Sequence, residues 1–223
     1  MSETRIVVVG KTGVGKSSLA NTIFEENVFD VFASANSGTT RCESITKEVN
    51  GRLVKWIDTP GLFDTERKED EMKPEIVKCI EECYPGPHVF LILLPVGRFT
   101  QQEQEVVQQL SQYFSDQALD FAILLFTHGD DLGDESTIEE FASQNESLNK
   151  LLQRCGNRVH VVDNKYWGGD RDGYRSNRYQ LSQLFKTIDQ MMNANGGRYY
   201  NNDFLRQTLQ KILVEAYRFT AGD

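Results

Sequence analysis

Eight consecutive residues, Gly10-Lys11-Thr12-Gly13-Val14-Gly15-Lys16-Ser17, fit the pattern G-x-x-x-x-G-K-[ST] in full. Glycines let the backbone turn tightly, so that successive N–H groups and the start of a following helix point at phosphate oxygens. Lys16 adds a positive charge against the outer phosphates, and the Ser17 hydroxyl can ligate Mg²⁺. The candidate phosphate-binding residues are therefore Gly10 to Ser17 together with Ser18 in the first helical turn. A β-branched run ends at Gly10 and a helical pattern begins at Lys16, which is the context such a loop needs. The signal is specific for nucleotide binding and silent on the base.

Further along, Asp58-Thr59-Pro60-Gly61 follows the apolar run Val54-Lys55-Trp56-Ile57. A carboxylate at that strand end can hold Mg²⁺ through water, and the Gly61 N–H can meet a γ-phosphate. With the phosphate loop, this element looks like a GTPase of the translation-factor and septin-like class. Such proteins read the base with [NT]-K-x-D after a later strand. Thr127-His128-Gly129-Asp130-Asp131 follows the run Phe121–Phe126 and takes that place. A carboxylate there accepts both guanine N1–H and N2–H₂, which adenine does not offer. His128 stands where a lysine is usual, and an imidazole can stack on the base instead. Spacing favours Asp130 over Asp131 as the base reader. Asn164, after Val159–Val162, lies where a guanine-contacting loop is expected.

These residues need elements to hold them. Short apolar runs alternate with longer amphipathic stretches, the pattern of an α/β domain with a mostly parallel sheet. Ile6–Val9, Val89–Leu94, Phe121–Phe126 and Val159–Val162 read as strands. Glu43–Val49 and Leu53–Ile57 flank Asn50-Gly51, a strong hairpin signal, and predict one antiparallel edge strand. Helical stripes run through Lys16–Phe24, Val106–Phe114, Ile138–Cys155 and Leu181–Met192, the last ended by Asn195-Gly196-Gly197. Glu25–Ser37 lacks periodicity and reads as a surface loop, and the charged stretch Thr65–Glu82 as a solvated helix face. A final stripe, Leu205, Leu209, Ile212, Ala216 and Phe219, predicts a helix covering the core. The division expected is a nucleotide-binding domain over 1–195 and a helical extension over 196–223 that packs on it.

Composition narrows the functional classes. With 24 Lys and Arg against 33 Asp and Glu, the 223-residue chain carries a net charge of −9, which opposes a nucleic-acid partner. The longest apolar runs are strand-sized, well short of the ~20 residues of a membrane helix, and no signal peptide is read before Arg5. Peripheral contact with a membrane surface stays open. Cys42, Cys79, Cys83 and Cys155 form no Cys-x-x-Cys pair, and His88, His128 and His160 show no ligand spacing. Reduced thiols in a cytoplasmic protein are expected.

One segment is more specific. Leu93-Leu94-Pro95-Val96-Gly97-Arg98-Phe99-Thr100 resembles the hydrophobic-then-G-R-[FY]-T box of the immunity-associated GTPases, the GIMAP family, related to plant avirulence-induced and chloroplast import-receptor GTPases. The motifs agree in order from Arg5 to about Met192: phosphate loop, Ser37-Gly38-Thr39-Thr40-Arg41-Cys42, Asp-Thr-Pro-Gly, the box, Thr127-His128 and Asn164. The resemblance implies a P-loop NTPase of Ras-like, three-layer form, with a six-stranded sheet and C-terminal helices folded back on it. It implies GTP or GDP with Mg²⁺ held by Ser17, Asp58 and a switch threonine, either Thr39 or Thr40. Switch segments ordered by the γ-phosphate are expected over Glu25–Arg41 and from Leu62 to about Met72. Relatives often carry further tails, so the chain reads as a short member or as an excised domain.

Catalysis is expected to be weak. Leu62 occupies the position where Ras-like enzymes keep a water-orienting Gln, so intrinsic hydrolysis should sit near the ~10⁻⁴ s⁻¹ of unassisted enzymes of that type. A second molecule of a nucleotide-bridged homodimer or homo-oligomer could supply an arginine, worth ~10³–10⁵-fold. Arg98 is the first candidate and Arg41 the second. Arg98 has an equal alternative role, capping carbonyls or pairing with Glu103. The alternative for the whole chain is a non-hydrolysing, GTP-held scaffold that assembles on cytosolic membrane surfaces.

Overall fold

The computed structural model describes residues 3–29, 42–59, 69–167, 173–203, 205–211 and 214. Six strands form one sheet: β1 (Thr4–Val9), β2 (Glu43–Val49), β3 (Arg52–Asp58), β4 (Val89–Pro95), β5 (Ala122–Thr127) and β6 (Val159–Val161), in the order β2-β3-β1-β4-β5-β6. Neighbours from β3 to β6 run parallel, while β2 pairs antiparallel with β3. The β2–β3 turn has positive φ at both Asn50 and Gly51, the backbone of a type I′ hairpin. The helices are α1 (Lys16–Phe24), α2 (Glu69–Glu82), α3 (Gln101–Phe114), α4 (Ile138–Ser143), α5 (Glu146–Arg154) and α6 (Asn177–Ala194).

The central strands are apolar throughout because both faces are covered. Val7, Val9, Ile57, Phe90, Ile92, Leu124 and Phe126 face one core with residues of α2 to α5. Ile6, Val8, Trp56, Leu91, Leu93 and Leu125 face the other with α1 and α6. This is the three-layer α/β sandwich with a mostly parallel six-stranded sheet that the sequence predicts.

Three details differ from the sequence reading. The stripe over Ile138–Cys155 is two helices, because the Asn145 side chain accepts the Leu148 N–H and starts α5 afresh. Phe121 lies in a 3-10 turn, Asp116–Phe121, and β5 begins one residue later. Within the expected surface loop, Phe29 is buried, and Asn21 holds it by accepting the N–H groups of Val28 and Phe29 and donating to the Phe29 carbonyl.

Beyond α6, Tyr200 and Leu205 enter the core beside α3. The Tyr200 N–H donates to the Pro87 carbonyl at 2.7 Å, and its ring meets Phe90, Phe114 and Phe121. Residues 205–211 are helical. Ile212, Ala216 and Phe219 of the predicted stripe lie outside the described residues. All four cysteines are buried and unbridged.

Candidate functional site: a phosphate loop at the C-terminal edge of the sheet

Parallel strands deliver their C-terminal ends to one edge, where open α/β sheets bind ligands. Here the edge carries Gly10 after β1, Asp58 closing β3, Gly97 after β4, Thr127 closing β5 and Asn164 after β6. The five sequence motifs therefore converge although they are far apart in the chain.

The loop from Gly10 to Gly15 turns into α1 through Gly15, at φ +101°. A side chain there would meet both that left-handed backbone and the Asn164 amide nitrogen, 3.0 Å from a Cβ. Val14 is buried in the core and anchors the loop, while Thr12 and Gly13 face solvent. Lys16 folds back over the loop, its Nζ donating to the carbonyls of Gly10 at 3.0 Å and Lys11 at 3.1 Å. Ser18 lies half-buried in the first turn of α1, its carbonyl accepting from the Thr22 hydroxyl.

The metal pair predicted from sequence is in contact. Ser17 Oγ donates to Asp58 Oδ2 at 2.8 Å. Asp58 is 0 % exposed, and its Oδ1 has no hydrogen-bond partner among the described residues. Burial raises its pKa, against the opposing Lys16 charge and the Ser17 hydrogen bond, with Glu43 adding to the rise. An orphaned buried carboxylate oxygen beside a serine hydroxyl at the mouth of a phosphate loop fits a small hard cation. Mg²⁺ takes few protein ligands and completes its shell with waters and phosphate oxygens. Among the described residues no cluster of three or more His, Cys, Asp or Glu is arranged for a metal.

At the base end, Thr127 is fully buried, its hydroxyl donating to the Val14 carbonyl at 2.9 Å. This side chain fastens the phosphate loop to β5. His128 sits in a left-handed backbone conformation, φ 60°, with its ring exposed and Nδ1 3.0 Å from the Thr127 hydroxyl. Gly129 is covered by Trp167, whose ring would lie 2.7 Å from any added Cβ. Asp130 and Asp131 are both exposed, but the Asp130 N–H donates to Asp163, which brings it to the loop that carries Asn164. Asn164 accepts from the Thr22 hydroxyl at 3.2 Å. Asp163 and Trp167 were missed in the sequence. An Asp ahead of an Asn and an aromatic beyond it carry no local signal until the two loops meet.

Arg98 is exposed and has no hydrogen bond or ion pair to another described residue. Its suggested partner Glu103 is engaged elsewhere, accepting from the N–H and hydroxyl of Thr100 in the capping box that opens α3. Lys11 donates to Gln102 on the next turn, so the phosphate loop and the Arg98 segment adjoin. Thr39, Thr40, Arg41, Gly61 and Leu62 lie outside the described residues.

A family model described as the AIG1 family matches residues 4–217. The chain belongs to the AIG1 family. Among its relatives, immune-associated nucleotide-binding protein 1 of Arabidopsis thaliana is 31% identical over 215 residues, spanning 94% of this chain and 93% of the relative. GTPase IMAP family member 8 of Homo sapiens is 30% identical over 202 residues, 91% of this chain and 30% of the relative. Immune-associated nucleotide-binding protein 9 of Arabidopsis is 31% identical, and the chain spans 60% of its length. Several of these AIG1 relatives are thus much longer than the part this chain matches. The structure is also similar to Arabidopsis Toc33 in complex with GDP and Mg²⁺, with a TM-score of 0.64 and 25% identity over 86% of this chain and 84% of that one.

Proposed function

We propose that this AIG1 chain binds guanine nucleotide with Mg²⁺ and hydrolyses GTP slowly, under the control of nucleotide-dependent dimerisation or oligomerisation. The observation that carries the reading is the Ser17–Asp58 contact at 2.8 Å with the second Asp58 oxygen left over, set against a complete phosphate loop. Lys16 would leave its two loop carbonyls for phosphate oxygens, and the N–H groups around Gly13 and Gly15 would cradle the β-phosphate. Ser17 and Asp58 would hold the metal, with Thr39 or Thr40 joining them; a bound Mg²⁺ neutralises charge on the β- and γ-phosphates. His128, Asp130 and Asn164 would take the base.

Names among the relatives, GTPase IMAP family member and nucleotide-binding protein, support the substrate class, as does the GDP and Mg²⁺ in the Toc33 structure. Of Toc33 itself it is stated that dimerisation is important for GTPase activity. For this chain the support is the exposed Arg98 beside the phosphate loop, which has no hydrogen bond or ion pair to another described residue and so could reach a second molecule's nucleotide across a shared face. The reading places the protein in the cytoplasm, consistent with four buried, unbridged thiols. It treats residues 196–223 as an extension packed on the nucleotide domain, and the net charge of −9 argues against a nucleic-acid partner. No described helix is long and apolar enough to cross a membrane.

GTP turnover per molecule, measured over a wide range of protein concentration for wild type and Arg98→Ala, tests the proposal. Specific activity should climb with concentration in the wild type and stay flat in the variant. Negligible turnover at every concentration, with GTP still bound, would leave a GTP-held scaffold instead.

A further inference from the structure

A buried carboxylate, Asp163, sits between the two loops of the base end. Asp163 follows β6, is 2 % exposed, and accepts three backbone N–H groups. Its Oδ1 receives those of Lys165, at 2.8 Å, and Tyr166; its Oδ2 receives that of Asp130 at 3.3 Å. Asp163 is itself clamped by Asn177 at the start of α6, which accepts its N–H at 3.0 Å and donates to its carbonyl at 2.6 Å. One side chain thus ties the loop after β5 to the loop after β6. Trp167, in the same loop as Asp163, packs on Gly129 and closes the arrangement from below.

We propose that Asp163 is the positioning residue for base recognition: it aims the Asp130 carboxylate at the N1–H and 2-amino edge of guanine and fixes Asn164 alongside. The inference rests on the reading of the ligand as a guanine nucleotide. A carboxylate used this way has a second effect. The carboxyl groups of Asp130 and Asp163 meet: that contact, then desolvation and the charges of Asp163 and Asp131, raise the pKa of Asp130, while Asp163, against its own burial, is lowered by the same contact and then by the N–H groups of Tyr166, Lys165 and Asp130. Lys165 is the cation facing the pair. Protonated Asp130 keeps one acceptor where guanine needs two, so discrimination for the 2-amino group fades as Asp130 takes up its proton, at a higher pH than an unperturbed aspartate would.

Fluorescent GDP and IDP, which differ by that 2-amino group, are titrated into the full chain with Mg²⁺ between pH 4.5 and 7.5. Wild type should prefer GDP at pH 7.5 and lose the preference on acidification. Asp163→Asn keeps an acceptor for Lys165 and Tyr166 but turns an amide toward Asp130. Its GDP-over-IDP ratio at pH 7.5 should fall roughly tenfold, and the remaining pH dependence should move to lower pH because the repulsion is gone. A wild type that shows no preference for GDP over IDP at pH 7.5 would overturn the inference. So would an Asp163→Asn protein that binds both nucleotides more weakly by the same factor with the pH midpoint unmoved, the mark of a merely structural role. If that variant does not fold, Asp163→Ser, which keeps an uncharged acceptor, is read by the same two criteria. Wild type that binds ADP as well as GDP would instead sink the guanine reading itself.

Discussion

Asp58 shows how a residue suited to a ligand is costly without one. Its carboxylate is fully buried, receives one hydrogen bond from Ser17, and leaves Oδ1 unpartnered among the described residues. Burial raises its pKa more than Lys16 and Ser17 lower it. The sign follows from linkage. Below the ordinary carboxylate range Asp58 is neutral in both folded and unfolded chains and costs nothing. As pH rises from there through the raised folded value, the unfolded chain ionises first, and the fold loses stability that stays lost at neutral pH. Asp58→Asn removes this penalty while keeping an acceptor for Ser17. The nucleotide-free variant should therefore melt higher at pH 7, by about 2–4 °C for each kcal/mol relieved, and the gain should vanish toward pH 3. Its Mg²⁺-dependent nucleotide affinity should fall. Calorimetric scans at both pH values, paired with nucleotide titration with and without Mg²⁺, check this. A melting temperature lowered at pH 7 would mean that the charge is already compensated in the fold.

At the scale of elements, the proposed base site is a joint between two loops, and the joint has a tight spot. Gly129 accepts no Cβ because the Trp167 ring occupies that space from 2.7 Å away. The Gly129 N–H also donates to the Val162 carbonyl at 3.0 Å, so the loop cannot lift without breaking a bond to the segment just after β6. Gly129→Ala should displace the loop and weaken guanine nucleotide binding by roughly 1–3 kcal/mol, while Gly129→Ala with Trp167→Phe should recover much of the loss. Titration of GDP against both variants decides the point, and equal weakening in single and double variants would remove Trp167 from the account. The joint also marks where the sequence stops being legible. Apolar runs such as Val89–Leu94 announce strands because both faces of a parallel sheet are buried, and Gly10–Ser17 announces its loop because each residue type has a local task. Asp163 and Trp167 have tasks defined only by a partner loop some 35 residues away in the chain, counting from Gly129. The break between α4 and α5 was hidden for a related reason: the apolar stripe continues through it, and only the Asn145 cap reveals two helices. Arg98 is legible as a family mark, but its freedom from Glu103 depends on Thr100 having claimed that carboxylate.

Across the whole molecule, the nucleotide end and the opposite end of the sheet do different work. At the far end, Arg5 Nε donates to the Gly86 carbonyl, and its guanidinium lies beside the His88 ring and 5.5 Å from the centre of the Tyr199 ring. His88 is kept neutral there, its pKa pushed down to about 4 by burial and the Arg5 charge, so that Nδ1 can accept the Arg5 N–H. Tyr200 follows directly and meets three phenylalanines, with its hydroxyl 3.1 Å from the Ser115 hydroxyl. The segment after α6 thus closes the core at the end remote from Gly15 and Asp58. Tyr200→Ala should cost on the order of 3–5 kcal/mol, as other buried aromatic truncations do, and lower the melting temperature by about 10 °C for a domain of this size. GDP affinity at a temperature where the variant is folded should change by less than about twofold, because no hydrogen bond described here links Tyr200 to the phosphate loop. A melting temperature within 2 °C of wild type, on the roughly 2–4 °C per kcal/mol scale, would show that the segment only rests on the domain. Lost stability together with lost affinity would show instead that the two ends of the sheet are coupled through β1 and β4, the strands that both Arg5 and the phosphate loop depend on.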